Sequence, residues 1–215
     1  MLLETLVVGP LAVNCYILGD ESTREGIVID PGGDPRKIID TIKAAQLRVV
    51  AIVNTHAHFD HVGALNEVRD FTRAPFMLHA DEAPILAGAQ MSAAMFGMSI
   101  AQPKPADRLL RDGDAVSAGS VTLRVLHTPG HTPGGICLLE DKRVFVGDTL
   151  FQGSIGRTDF PGGDYGTLMG SIRDKLLPLP DETRVYAGHG TATTLGEEKR
   201  FNPFLRPLIT GQWTA

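Results

Sequence analysis

The chain has 215 residues, 43% of them hydrophobic and 21% charged, with a formal net charge of −5. That length suits one well-packed unit, and its interspersed charges give no basic stripe of the kind that grips nucleic acid. No apolar run reaches membrane-spanning length, and the opening Met1-Leu2-Leu3-Glu4 lacks the basic region of a secretory leader. A cytoplasmic protein is therefore the default expectation.

β-rich runs come first. Residues 3–8 and 13–18 read as strands joined by Gly9-Pro10, and 26–29 as a third, closed by Asp30-Pro31-Gly32-Gly33. Residues 35–46 carry helical spacing, with Ile38, Ile39 and Ile42 on one face and Asp34 as a candidate N-cap before Pro35. A β-branched run over 48–54 suggests a buried strand. Helix 63–71, strand 75–78 and a short helix over 81–87 follow. Residues 88–105, rich in Met, Ala, Gly and Pro and poor in periodicity, read as a loop or loose helical excursion. Strands resume at 121–126, 135–139 and 143–146. A Gly-rich loop covers 154–164, then helix 165–177, strand 183–187 and a last short helix 194–200. Strands alternating with helices and no linker predict a single α/β layered domain over 1–215. Cys15 and Cys137 both sit in apolar strand-like runs and read as small buried hydrophobes.

Chemistry concentrates in Thr55-His56-Ala57-His58-Phe59-Asp60-His61. Imidazoles and a carboxylate packed this closely repel one another when protonated and are costly to desolvate; a bound cation removes both problems. His and Asp donors together suit zinc, iron or nickel. Residues i and i+2 of an extended segment point the same way, so His56 and His58 can share one ion. A turn into the next helix would aim Asp60 and His61 at a neighbouring position. A recurrent pattern supplies further candidates: an apolar strand ends and a metal-capable residue follows, at Asp30, His56, His131, Asp148 and His189. Loops at strand ends converge on one edge of a sheet, where α/β folds place their sites.

These residues, His56-Ala57-His58-Phe59-Asp60-His61 followed by His131, Asp148 and His189, resemble the metallo-β-lactamase superfamily over nearly the whole chain. The resemblance implies a four-layer αββα sandwich. It implies that His56, His58 and His131 bind one metal, Asp60, His61 and His189 a second, and that Asp148 bridges them. Asp30 resembles a carboxylate that orients a ligand histidine. Two zinc ions per chain are expected, with iron or manganese as alternatives.

Thr128-Pro129-Gly130-His131-Thr132-Pro133-Gly134, Gly147-Asp148-Thr149-Leu150-Phe151, Gly156-Arg157-Thr158-Asp159-Phe160 and Gly188-His189-Gly190 are most similar to the glyoxalase II-like hydrolases, in their short bacterial form. That resemblance implies cleavage of a thioester such as S-lactoylglutathione by a metal-bound hydroxide, with Asp60 and Asp148 as the catalytic carboxylates and no Gly-x-Ser-x-Gly elbow. Little chain follows His189, so the helical domain with which longer members contact glutathione is expected to be largely missing. Arg157 and residues 88–105 then remain to read a small thioester substrate, whether or not it carries glutathione. Neither nucleic acid nor membrane is an expected partner; a monomer or small homo-oligomer is.

The rival within the superfamily is a mononuclear iron persulfide dioxygenase, in which His56, His131 and Asp148 would form a facial triad. A non-catalytic metal-binding module is the reading from another class. Around the site, His79 and His127 read as structural histidines. Arg157 and Asp159 read equally as a loop ion pair or as a substrate contact. Met91, Met95 and Met98 either fill core and subunit contacts or cap the pocket.

Overall fold

The computed structural model of the protein describes residues 1–212. Six strands form the first sheet in the spatial order of the chain: β1 (Leu2–Val8), β2 (Val13–Gly19), β3 (Glu25–Ile29), β4 (Arg48–Val53), β5 (Phe76–His79) and β6 (Arg108–Leu110). β1, β2 and β3 pair antiparallel, whereas β3 through β6 run parallel and need crossovers. Helices α1 (Pro35–Ala44), α2 (Phe59–Val62), α3 (Leu65–Thr72) and α4 (Ala83–Met95) lie in those crossovers. The second half continues with β7 (Ala115–Ala118), β8 (Val121–His127), β9 (Ile136–Glu140) and β10 (Arg143–Gly147). A small hairpin, β11 (Leu150–Phe151) and β12 (Ser154–Ile155), precedes β13 (Arg184–Ala187) and β14 (Thr193–Thr194). The second sheet has the order β14-β13-β10-β9-β8-β7. Helices α5 (Tyr165–Ser171), α6 (Leu195–Phe201) and α7 (Arg206–Ile209) also belong to the second half among the described residues.

The two-residue period of the strands builds the layers. In β2, Cys15 and Ile17 face a core shared with Ile38, Ile42, Leu65 and Val68 of the helices. Tyr16 and Leu18 of the same strand face the opposite way, into a core shared with Leu123, Leu138 and Phe145 of the second sheet. In the second sheet Phe145 points into that middle core, while Val144 and Val146 pack against Leu168, Met169 and Leu195. Three apolar seams separate four layers, and the fold is an αββα sandwich. Inner strands such as β2, β3 and β10 are therefore buried on both faces and read as continuous apolar runs, whereas β7 and β8 alternate buried with exposed residues. No described helix is long and apolar enough to cross a membrane. Both cysteines are free and buried.

Several local expectations need correction. Of the two readings of 88–105, a loop or a helical excursion, the first part is helix: α4 runs through Met95, burying Leu86, Ala89 and Ala93. Its sequence hides this because the opposite face is also apolar, with Met91 71% and Met95 81% exposed. The expected short helix over 81–87 is a 3₁₀ turn, Ala80–Glu82, running into α4. The helix expected over 63–71 is α3, and the separate single turn α2 precedes it. α5 ends at Ser171 and passes into a π-helical turn, Ile172–Leu176, where one helix was expected. Asp34 does not cap α1 through its side chain; it adopts φ 47°, and its carboxylate accepts the Gly9 amide at 2.9 Å. The short strands β6 and β7 were not anticipated, having three and four residues.

Candidate metal centre

Five strands end at one edge of the sandwich, and the candidate residues follow them. β3 delivers Asp30; β4 delivers the segment from Asn54 to His61; β8, β10 and β13 deliver His131, Asp148 and His189. His58 is extended, with φ −60° and ψ 146°, and the chain then enters α2, so Asp60 and His61 sit on the first helical turn. This change from extended to helical backbone aims the four neighbours at two positions.

His56, His58 and His131 form one group. Their rings meet pairwise at 82–88° with centroids 4.8–4.9 Å apart, and Nε2 of His131 lies 3.1 Å from Nδ1 of His58. Three mutually perpendicular rings can point their lone pairs at a common centre. Asp60, His61 and His189 form a second group, with Nε2 of His189 3.3 Å and Nε2 of His61 3.9 Å from Oδ2 of Asp60. Asp148 stands between the groups. Its Oδ1 is 3.5 Å from Nε2 of His61, and its Oδ2 is 3.6 Å from Nε2 of both His131 and His189.

Outer contacts fix three of the donors, His61, His131 and His189. Asp30, fully buried, meets Nδ1 of His61 at 3.0 Å and accepts the amide and hydroxyl of Thr55, both at 2.7 Å. Nδ1 of His131 donates to the Arg157 carbonyl at 2.7 Å, which leaves Nε2 for the centre. Nδ1 of His189 donates to the Leu11 carbonyl at 3.1 Å. Such bonds set the tautomer of a ligand imidazole. Gly188 makes room for the centre: a β-carbon there would lie 2.2 Å from Oδ1 of Asp148 and 2.7 Å from Cε1 of His61.

The protonation pattern follows from burial and charge. Burial, then the neighbouring His131 and His61, holds His58 down to about 4. Burial likewise depresses His56 and His131. Burial opposes charge on His61 too, but Asp148 and Asp30 outweigh it and hold that imidazole well above its usual value. His189 is raised in the same way: burial is outweighed by Asp60 and Asp148. Burial would raise Asp148; His61, His131 and His189 together carry it below the usual carboxylate range. The first group is therefore neutral and ready to donate, and the second is stabilised by its carboxylates.

Nε2 of His56, Nε2 of His61 and Oδ1 of Asp148 are buried without a hydrogen-bond partner. Buried polar atoms normally have one. Three orphan donor atoms converging from two loops fit a pair of cations, as does a donor set of histidine and aspartate without cysteine. An open cavity of about 530 Å³ adjoins the centre, lined in part by His131, Asp148, Phe151, Arg157 and His189. A second, of about 280 Å³, touches it at Asp60 and is lined by Leu11, Val13, Phe59 and Met98.

A family model of the metallo-β-lactamase superfamily matches residues 8–189. The chain belongs to the metallo-β-lactamase superfamily. Among its relatives, a hydroxyacylglutathione hydrolase, GloC, of Haemophilus influenzae is 40% identical over 95% of this chain and 98% of its own. The crystal structure of the BLEG-1 B3 metallo-β-lactamase superposes with a TM-score of 0.88 at 43% identity, covering 95% of this chain and 99% of that one. That of TTHA1623 in a di-iron-bound form gives 0.87 at 41% identity, covering 94% and 100%.

Within this superfamily member, the seven residues singled out from sequence lie together, with Asp30 against His61. Arg157 borders the larger cavity, but its Nε and Nη2 hold Asp159 at 2.7 Å and its guanidinium stacks 3.8 Å over the Phe160 ring. Met91 and Met95 are exposed on α4 and only Met98 lines a cavity. His79 and His127 stack at 4.1 Å and 11°. With Asp81 they form a further cluster of possible donors, but face-to-face rings cannot both aim in-plane lone pairs at one ion. Sequence reasoning missed Asn54, whose amide donates to the His61 carbonyl at 2.7 Å, and Asn14, which holds the Ala187 and Gly190 carbonyls around His189. It also missed Glu82. Asn54 adjoins the histidine motif and could have been flagged; Glu82 and Asn14 are remote from it in sequence and gave no signal.

Proposed function

We propose that this protein is a metal-dependent thioester hydrolase of the glyoxalase II-like type, acting on S-lactoylglutathione or a related acyl thioester. The observation that carries the reading is the position of Asp148 between two donor groups, one of three histidines and one containing Asp60. The likeness to GloC over nearly the full length of both chains supports it. His56, His58 and His131 would hold one divalent cation; Asp60, His61 and His189 would hold the other; Asp148 would touch both. Zinc suits these donors, and the di-iron form of a similar protein makes iron a second candidate.

Such cations, when bound, supply a coordinated water of lowered pKa and polarise an acyl carbonyl. The remaining steps belong to the chain. Asp60 and Asp148 accept hydrogen bonds from the attacking water and orient it. The two cavities that adjoin the centre would take the two ends of a thioester. Nη1 of Arg157, outside the pair with Asp159, would meet a carboxylate on the thiol portion. A thiolate leaves readily, so the site needs no dedicated general acid.

The test is release of free thiol from S-lactoylglutathione and from simpler acyl thioesters by protein loaded with zinc or with iron. Turnover that disappears in Asp148→Ala is expected. Oxygen uptake with a glutathione persulfide, or opening of a β-lactam ring, without thioester cleavage would replace the reading.

A further inference from the structure

Glu82 belongs to neither donor group, yet it is fully buried where the Ala80–Glu82 turn meets α4. Its two carboxylate oxygens serve different loops. Oε2 accepts the Ala57 amide at 2.7 Å, and Oε1 accepts the Gly134 amide at 2.8 Å. Ala57 lies between His56 and His58. Gly134 lies in the turn that begins with His131. The first loop leaves β4 of one sheet and the second leaves β8 of the other, so a single side chain spans the two segments that carry the three-histidine group.

The contact is tight on the Gly134 side. A β-carbon there would stand 2.8 Å from both Cγ and the backbone nitrogen of Glu82, and 3.0 Å from Nδ1 of His79. Each oxygen is matched to an amide donor, as a buried carboxylate requires. The other group is held differently. His61 is fixed by Asp30 and Asn54, and His189 by the Leu11 carbonyl and the segment that Asn14 grips. No hydrogen bond of Glu82 among the described residues reaches Asp60, His61 or His189.

We propose that Glu82 is a positioning residue for one donor group only: by bonding Ala57 and Gly134 together it sets the distance between the His56–His58 loop and the His131 loop, and so tunes the cation affinity of the three-histidine group without acting on the Asp60–His61–His189 group. The inference rests on the metal-centre reading but not on the thioester activity.

Glu82→Gln tests it, because the shape is kept while one carboxylate oxygen becomes an amide nitrogen that cannot accept an N–H. Each donor group is isolated by a background substitution: His189→Ala leaves the three-histidine group complete, and His131→Ala leaves the other. Zinc dissociation constants come from competition with a chromophoric chelator, without recourse to activity. Loss of an outer contact to a ligand typically costs roughly 10- to 100-fold in metal affinity. That loss is expected on adding Glu82→Gln to His189→Ala, with less than about a twofold change on adding it to His131→Ala. Gly134→Ala, which crowds Cγ and the backbone nitrogen of Glu82 while leaving its charge in place, should reproduce the one-sided loss. Equal weakening in both backgrounds, an unchanged constant in the His189→Ala background, or collapse of both Glu82→Gln and Gly134→Ala would make Glu82 a general structural residue and overturn the proposal. Failure of the wild-type chain to bind zinc or iron would overturn it together with the metal-centre reading; binding without thioester cleavage would remove only the proposed activity.

Discussion

Replacing Asp30 with asparagine isolates the contribution of one buried charge. Asp30 adopts φ 51°, a conformation that asparagine tolerates as readily as aspartate, so the backbone need not move. The side chain has no exposure and three polar contacts: the Thr55 amide and hydroxyl at 2.7 Å and Nδ1 of His61 at 3.0 Å. The substitution removes the charge that faces His61 and turns one acceptor into a donor. Hydrogen bonds to a charged group are each worth about 1.5–3 kcal/mol, and breaking a buried charged pair costs about 3–5 kcal/mol. For a chain of this size that loss lowers Tm by roughly 6–20 °C. Metal affinity of the group containing His61 should fall roughly 10- to 100-fold. Calorimetric unfolding of metal-free and zinc-loaded protein reads the first effect, and chelator competition the second. A variant within about 2 °C of wild type and with unchanged metal content would refute the reasoning, because the three contacts would then contribute nothing.

Further outcomes follow from the same geometry. Gly188→Ala places a β-carbon 2.2 Å from Oδ1 of Asp148, so the purified variant should carry less metal than wild type by elemental analysis; full occupancy of both positions would contradict the close approach. Asn202→Ala removes donors to the Ser154 carbonyl at 3.0 Å and to Glu198 at 2.8 Å, and should destabilise the protein by about 2–3 kcal/mol in denaturant unfolding, with faster amide exchange in the β11–β12 hairpin. Burial pushes Cys137 up to about 11 and also raises Cys15. A thiol pKa above pH leaves little thiolate, so neither should react with a disulfide reagent at pH 8 in the folded chain, and both should do so in guanidinium. Prompt labelling of the folded protein would show that the strands open. Chelation of metal by excess EDTA should lower Tm, since a ligand bound only by the native state stabilises it by about 3–4 kcal/mol when present at 100 to 1,000 times its Kd; an unchanged Tm would deny that the centre is a metal site.

The donors were legible because their residue types are costly without a cation and because each follows an apolar strand. That pattern survives in a single sequence: Ile27-Val28-Ile29 before Asp30, and Val144-Phe145-Val146 before Asp148. The α/β layering was legible in the alternation of strands with helices, and the four-layer arrangement only through the family resemblance. The start of α4 was legible but its extent was not, because Met91 and Met95 interrupt no pattern on a helix that is apolar on every side. β6 and β7 were too short for periodicity to register. Asp34 was misread because the Pro35 that follows suits an N-cap equally well in either backbone conformation. Asn14 and Glu82 act through backbone amides and carbonyls of loops far away in sequence, and nothing in their own neighbourhoods announces it.

The edge where the strands end also joins the two halves of the sandwich. His56, His58, Asp60 and His61 come from the half built on β4, whereas His131, Asp148 and His189 come from the half built on β8, β10 and β13. Each donor group draws on both. An ion seated in either would thus act as a rivet through the interface between sheets, tying folding cooperativity to occupancy.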